Sequence, residues 1–192
     1  MRTFIAIDIT AAIRESIRAL LAELKQTERR IRWSRPESLH ITLKFLGEVP
    51  PPKIADVKAC LTSIRTPAPF SISVHGSGFF PGERSPHVIW LGVDGGKDLA
   101  ALASLIEQAL EPRGFSREKR PFSAHLTLGR IDGAANIDAV RELLRRKEPL
   151  ALGSFAANEY FLYESTPACG GSVYTKLARF EMAAGGSPAG SV

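Results

Sequence analysis

The chain has 192 residues, 44% of them hydrophobic, a formal net charge of +5 and two cysteines. That length fits one domain, or two small lobes sharing a core, and is long enough for a sizeable interior. No stretch approaches the roughly 20 apolar residues of a membrane span. The first residues lack the apolar segment of a secretory signal, and Cys60 and Cys169 allow at most one bridge with no metal-like or redox spacing. The expectation is a cytoplasmic protein with two free thiols and a charge balance favouring an anionic partner.

In chain order, residues 3–9 form a short apolar run with β-branched members and predict a buried strand. Thr10 can cap the next segment, where Ile13, Ile17, Leu20, Leu21 and Leu24 recur at helical spacing. Residues 31–34 predict a strand, Pro36 and Glu37 a turn, and residues 38–46 an alternating strand. Pro50, Pro51 and Pro52 open a helix carrying Ile54, Val57, Leu61 and Ile64. Two strands follow, at 70–79 and 87–93, joined by the Pro/Gly-rich stretch 81–86. Asp94, Gly95 and Gly96 mark a turn before a third helix with Leu99, Leu102, Ile106 and Leu110 on one side and Gly114 as its stop. A basic loop, 113–120, leads into a strand at 122–128. A fourth helix spans 136–147, and strands at 151–156, 158–163 and 172–180 complete the pattern. The Gly-, Ser- and Ala-rich tail 183–192 predicts disorder, leaving residues 1–182 as one two-lobed domain.

Short connections between strands argue for antiparallel pairing and an α+β class. The order strand, helix, strands, helix occurs twice. The expected architecture is therefore a duplicated, two-lobed body.

The chemistry is written in a repeated tetrad. His40-Ile41-Thr42-Leu43 and His125-Leu126-Thr127-Leu128 share one pattern 85 positions apart, using two of only four histidines. On a strand, residues i and i+2 share a face, so each imidazole projects beside a hydroxyl. A histidine accepts or donates a proton near pH 7, its unperturbed pKa being about 6.5. Two of them can divide the work, one activating water and the other protonating a leaving oxygen. The hydroxyls of Thr42 and Thr127 can donate to phosphate oxygens. Arg130 is a candidate phosphate clamp; on a regular strand it would face the same way as Leu128, and Gly129 leaves that open. Either tetrad alone would suit an ordinary structural strand, and His75 and His87, without a threonine partner, are read that way. No third ligand accompanies the histidines as zinc would need, so no metal or cofactor is expected. A serine-nucleophile elbow, a phosphate-binding loop and a dinucleotide turn are also missing.

These residues resemble a known family. The paired tetrads, with Trp33 and Pro36 ahead of the first and Lys44-Phe45-Leu46-Gly47 after it, are similar to the two-histidine (2H) phosphoesterases. The match is strongest to the bacterial RNA 2′,3′-cyclic phosphodiesterases, also called 2′-5′ RNA ligases. Val88-Ile89-Trp90-Leu91-Gly92, Gly129-Arg130 and residues 174–180 extend it over the chain except the tail. The resemblance implies a bilobal α+β fold, two pseudo-symmetric antiparallel sheets with flanking helices and a central cleft, one tetrad per lobe. It also implies metal-independent hydrolysis of a terminal RNA 2′,3′-cyclic phosphate to a 2′-phosphomonoester, with reversible 2′-5′ ligation as a side activity. It assigns His40 as proton donor to the departing 3′ oxygen and His125 as proton acceptor from water. The tetrads' symmetry alone does not choose between those roles.

Arg29, Arg30, Arg32 and Arg35 precede the first tetrad, and Arg113, Arg117, Lys119 and Arg120 the second. Both clusters are candidates for guiding an RNA backbone. Arg141, Arg145, Arg146 and Lys147 read as a solvated helix face. Trp33 and Phe45 are candidates for stacking on a base, or for the core. The expected partners are RNA ends or nucleotides bearing a cyclic phosphate, met by a monomer. Two rival readings keep part of this: a non-catalytic module binding RNA ends, and a cyclic phosphodiesterase acting on a small nucleotide.

Overall fold

The computed structural model describes residues 1–133, 135–168 and 171–182. The predicted tail, 183–192, and Cys169 lie outside them. Nine strands and four helices occupy the described residues: β1 (Arg2–Asp8), α1 (Ala11–Thr27), β2 (Arg32–Trp33), β3 (His40–Glu48), α2 (Pro51–Thr62), β4 (Phe70–Phe80), β5 (Val88–Asp94), α3 (Gly96–Leu110), β6 (His125–Arg130), α4 (Ile137–Arg146), β7 (Ala151–Ala157), β8 (Glu159–Ala168) and β9 (Gly171–Glu181). Each helix forms where its apolar spacing predicts. α1 buries all of Ile13, Ile17, Leu20, Leu21 and Leu24, side chains whose burial contributes about 1.5–3 kcal/mol each. Thr10 sits at the N-cap of α1 but its hydroxyl makes no cap bond. Asn136 does cap α4, accepting from the Ala139 N–H at 3.3 Å. Gly114 ends the turn after α3 with φ +87°, a left-handed conformation that glycine adopts without strain.

The strands build two antiparallel sheets, ordered β3-β1-β8-β9 and β2-β6-β5-β4-β7. The lobes are not two consecutive halves of the chain. The first sheet takes β8 and β9 from the C-terminal end, and the second takes β2 and β4 from the N-terminal half. The helices cross over as well: α1 packs on β7 of the second sheet, α3 on β3 of the first. One apolar core therefore runs through both lobes, from Ile5 and Ile41 to Leu91 and Leu126. A smaller apolar cluster, Phe4, Ala6, Phe161 and Tyr163, lies on the other face of the first sheet. The spatial order is nonetheless equivalent: a tetrad strand (β3 or β6) beside the strand that precedes it (β1 or β5), then an antiparallel pair.

Candidate active site

Each tetrad histidine is the first residue of its strand, β3 starting at His40 and β6 at His125. The predicted strands began earlier, at 38 and 122. Residues 36–38 instead form a 3₁₀ turn opened by Pro36, and the ladder between β5 and β6 stops at the pair Gly92–His125, so residues 122–124 have no partner strand. Both histidines thus stand half-buried at the mouths of their strands.

The two rings are held by the same device. Nδ1 of His40 donates to the Ser38 carbonyl at 2.8 Å, and Nδ1 of His125 donates to the Ser123 carbonyl at 2.8 Å. A carbonyl only accepts, so Nδ1 carries the hydrogen and Nε2 is left for a ligand, as acceptor when neutral and as donor when protonated. The sequence carries the signal for this anchor: Ser38 and Ser123 extend the repeat to Ser-x-His-x-Thr-Leu. Among the described residues, the hydroxyls of Thr42 and Thr127 form no hydrogen bond.

The last tetrad residue marks a β-bulge in both strands. Ala6 pairs with Thr42 but Ile5 with Lys44, so Leu43 is extra. Trp90 pairs with Thr127 but Ile89 with Gly129, so Leu128 is extra. A bulge flips the alternation beyond it. Regular alternation would turn Lys44 outward beside Thr42 and Arg130 inward beside Leu128; the structure reverses both. Lys44 is buried, its ammonium 2.7 Å from Glu107 and 2.8 Å from the Ser116 carbonyl. Phe45 and Arg130, each five residues past its histidine, return to the histidine face. Phe45 is 59% exposed there. Arg130 is exposed too, with its guanidinium unpaired among the described residues.

One segment joins the two tetrads. β2 pairs with the end of β6. Ser34 then donates from its N–H to the Leu128 carbonyl and from its hydroxyl to the Thr127 carbonyl, both at 2.7 Å. A few residues later the chain enters β3. Trp33 anchors this junction: its indole N–H donates to the Glu28 carbonyl at 2.8 Å, and its ring packs so closely that a Cβ on Gly129 would meet it at 2.8 Å. The half-buried Trp33 therefore has a packing role, and Phe45 alone of the two aromatic candidates stands open.

The rings' surroundings differ. Phe4 lies along the His40 ring at 4.6 Å between centroids, and Tyr174 meets it edge-on at 5.0 Å. Among the aromatic rings of the described residues, His125 meets Phe80 alone, edge-on at 5.2 Å, and Phe80 in turn stacks on Trp90. Burial pushes the His40 imidazole below its ordinary 6.5, the Ser38 carbonyl and the Asp8 carboxylate oppose that, and His125 adds to it. The strands that carry the two histidines, β3 and β6, are also in contact with each other. A cavity of about 260 Å³ beside His40 is lined by Asp8, Arg14, Tyr163, Tyr174 and Lys176 among others. None of these was singled out as a site residue from sequence, because they gather from both ends of the chain and from several elements.

Of the basic clusters, Arg30 is paired with Glu28, Arg32 with Asp132 and Arg117 with Glu111, and Arg35 donates to the Ser172 carbonyl. Arg29, Arg113, Lys119 and Arg120 have no ion-pair partner among the described residues. On α4, Arg141, Arg145 and Arg146 pair with surface acids, as a solvated face would. Among the described residues no group of three or more His, Cys, Asp or Glu could hold a metal ion, and no helix is long and apolar enough to cross a membrane.

Known proteins resemble the chain over most of its length. The family described as LigT like Phosphoesterase matches the chain twice, over residues 7–90 and 91–174. A relative from Archaeoglobus fulgidus, named RNA 2′,3′-cyclic phosphodiesterase, is 36% identical over 181 residues, which is 94% of this chain and 100% of its own. A crystal structure from Thermus thermophilus superposes with a TM-score of 0.81 at 26% identity, over 95% of this chain and 98% of that one. Escherichia coli LigT, solved in complex with 3′-AMP, superposes with a TM-score of 0.76 at 31% identity, over 94% and 97%. With both matches spanning the two tetrads and the sheets that carry them, the chain belongs to the LigT-like phosphoesterase family.

Proposed function

We propose that the protein is a cyclic phosphodiesterase that opens the terminal 2′,3′-cyclic phosphate of RNA to a 2′-phosphomonoester, by proton transfer between His40 and His125 and without metal or cofactor. The observation that carries this reading is the matched anchoring of the two rings, each with Nδ1 tied to its own backbone, Nε2 available and an unpaired threonine hydroxyl on the same strand face. The names of the relatives support the substrate class.

In the step so assigned, Nε2 of neutral His125 takes a proton from water as the water oxygen bonds to phosphorus. The bond from phosphorus to the 3′ oxygen breaks, and Nε2 of protonated His40 supplies that oxygen's proton. Each transfer contributes about 10²–10⁴-fold. Thr42, Thr127 and Arg130 hold the phosphate oxygens, and Phe45 offers its open ring to a base. The depression of His40 is relieved when the anionic phosphate arrives beside it, since an opposite charge favours the protonated form. If a 5′-hydroxyl takes the place of water, His125 accepts its proton, the same bond to the 3′ oxygen breaks with His40 supplying that oxygen's proton, and a 2′-5′ bond forms. A single chain carries every group named, so a monomer is complete.

The test is hydrolysis of an RNA oligonucleotide ending in a 2′,3′-cyclic phosphate, followed by phosphorus NMR in the presence of EDTA. A 2′-phosphomonoester at undiminished rate is expected. A 3′-phosphate product, or loss of turnover restored by metal, contradicts the assignment.

A further inference from the structure

The two tetrads share their Nδ1 anchor and their bulge, yet the residues across from their histidines differ. His125 faces Gly92 in the ladder of the second sheet, whereas His40 faces Asp8 in the first. Directly opposed strand residues have Cβ atoms about 5 Å apart. Asp8 is fixed at both oxygens, Oδ1 accepting from the Tyr163 hydroxyl and Oδ2 lying 2.6 Å from the Lys176 ammonium. All three side chains line the cavity that also holds His40.

We propose that Asp8 is a positioning residue for His40: its carboxylate, tempered by Lys176, offsets the burial of the ring and makes His40, not His125, the member of the pair that carries the proton before the bond breaks. The inference rests on the proposed phosphodiesterase reading and supplies what the symmetry of the tetrads lacks, a physical reason for unequal roles. Asp8 touches neither the His40 ring nitrogens, one of which is committed to the Ser38 carbonyl, nor the reacting atoms. It acts through the field at the ring.

The other charged groups around His40 do not reproduce that field. Arg14, from α1, is tied to the Ile9 and Pro36 carbonyls, and its charge opposes a proton on His40. Glu37, from the 3₁₀ turn, is paired with Arg18 in solvent. His125, from β6, disfavours a second positive charge, and Tyr163, pushed up by burial and by Asp8, is a neutral phenol at working pH. Asp8 is the carboxylate that offsets burial at His40, and Lys176, on β9, tempers it. Removing the two therefore has opposite effects.

The experiment follows the ring nitrogens of His40 and His125 by NMR as pH is changed, in wild type, Asp8→Asn and Lys176→Met, without substrate. In parallel, kcat/KM is measured on the cyclic-phosphate oligonucleotide. Asparagine still accepts from Tyr163, and Lys176 is half-exposed, so the second variant reads the coupling even if the first fails to fold. Asp8→Asn is expected to lower the titration midpoint of His40 and Lys176→Met to raise it, each by more than it moves the midpoint of His125. The kcat/KM of Asp8→Asn falls on the order of threefold to tenfold, as expected for loss of one nearby opposite charge. A His40 midpoint unmoved in the variants that fold overturns the coupling. A midpoint that moves while kcat/KM of Asp8→Asn rises overturns the role, because it makes His40 the base. A wild type inert toward the cyclic phosphate overturns the proposed function instead, and the substrate-free titrations still decide the coupling.

Discussion

Lys44 offers the sharpest test of how the tetrad strand is seated. Its side chain is 1% exposed and its ammonium lies 2.7 Å from Glu107, itself 16% exposed, while also donating to the Ser116 carbonyl. Lys44→Met keeps the stem and deletes the charge. Breaking a buried pair by removing one partner costs about 3–5 kcal/mol, because the other charge stays behind. Partial exposure of Glu107 sets the expectation near the lower end, about 3 kcal/mol, with the orphaned Ser116 carbonyl included in that figure. For a chain of this size that is a fall in Tm of about 6–12 °C. Urea unfolding of Lys44→Met and of the double variant Lys44→Met/Glu107→Leu measures it, and the double variant is expected to regain most of the loss. A single variant within about 1 kcal/mol of wild type, or a double variant no better than the single, refutes the assignment of Lys44 as an inward strut created by the bulge at Leu43.

Gly129→Ala places a Cβ 2.8 Å from the Trp33 ring and 2.9 Å from Ile31; overpacking of this kind costs about 1–3 kcal/mol, read by urea unfolding, with kcat falling as β2 separates from β6. Arg130→Met is expected to raise KM about tenfold with little change in kcat, the loss of one charge-assisted contact to phosphate; an unchanged KM removes Arg130 from the site. Glu28 is held down to about 2 from 4.5, first by the Arg30 guanidinium and then by the Asn136 and Arg30 N–H groups. A carboxyl depressed in the folded state contributes stability that is present above its unfolded value and lost as pH falls through the folded one. Unfolding free energy therefore declines between about pH 4.5 and pH 2, and Glu28→Gln flattens that limb. His40, also depressed by burial, adds a decline that begins as pH drops below 6.5 and is absent from His40→Asn.

The helices were legible because each buries one stripe at 3.6-residue spacing, as Leu99, Leu102, Ile106 and Leu110 do on α3. The tetrads were legible because period-2 alternation put each histidine beside its threonine. What alternation could not show was where it fails. The bulges at Leu43 and Leu128 exchange the faces of Lys44 and Arg130, and a bulge depends on the partner strand, which a single segment does not name. Strand exchange between lobes was hidden for the same reason: β8 joins β1 from the opposite end of the chain, through pairing that only the closed sheet decides. Asp8 and Lys176 illustrate the cost. Each reads as an ordinary strand charge until β9 brings them together beside His40.

The most direct test of the account is kcat/KM for RNA 2′,3′-cyclic phosphate hydrolysis by His40→Ala, His125→Ala and the double variant, with folding checked by circular dichroism. Two histidines acting on one phosphorus predict that each single variant loses about 10²–10⁴-fold and that the double loses little more than either, since groups working as a unit are not additive. Full turnover in either folded single variant, or losses that multiply independently, contradicts it.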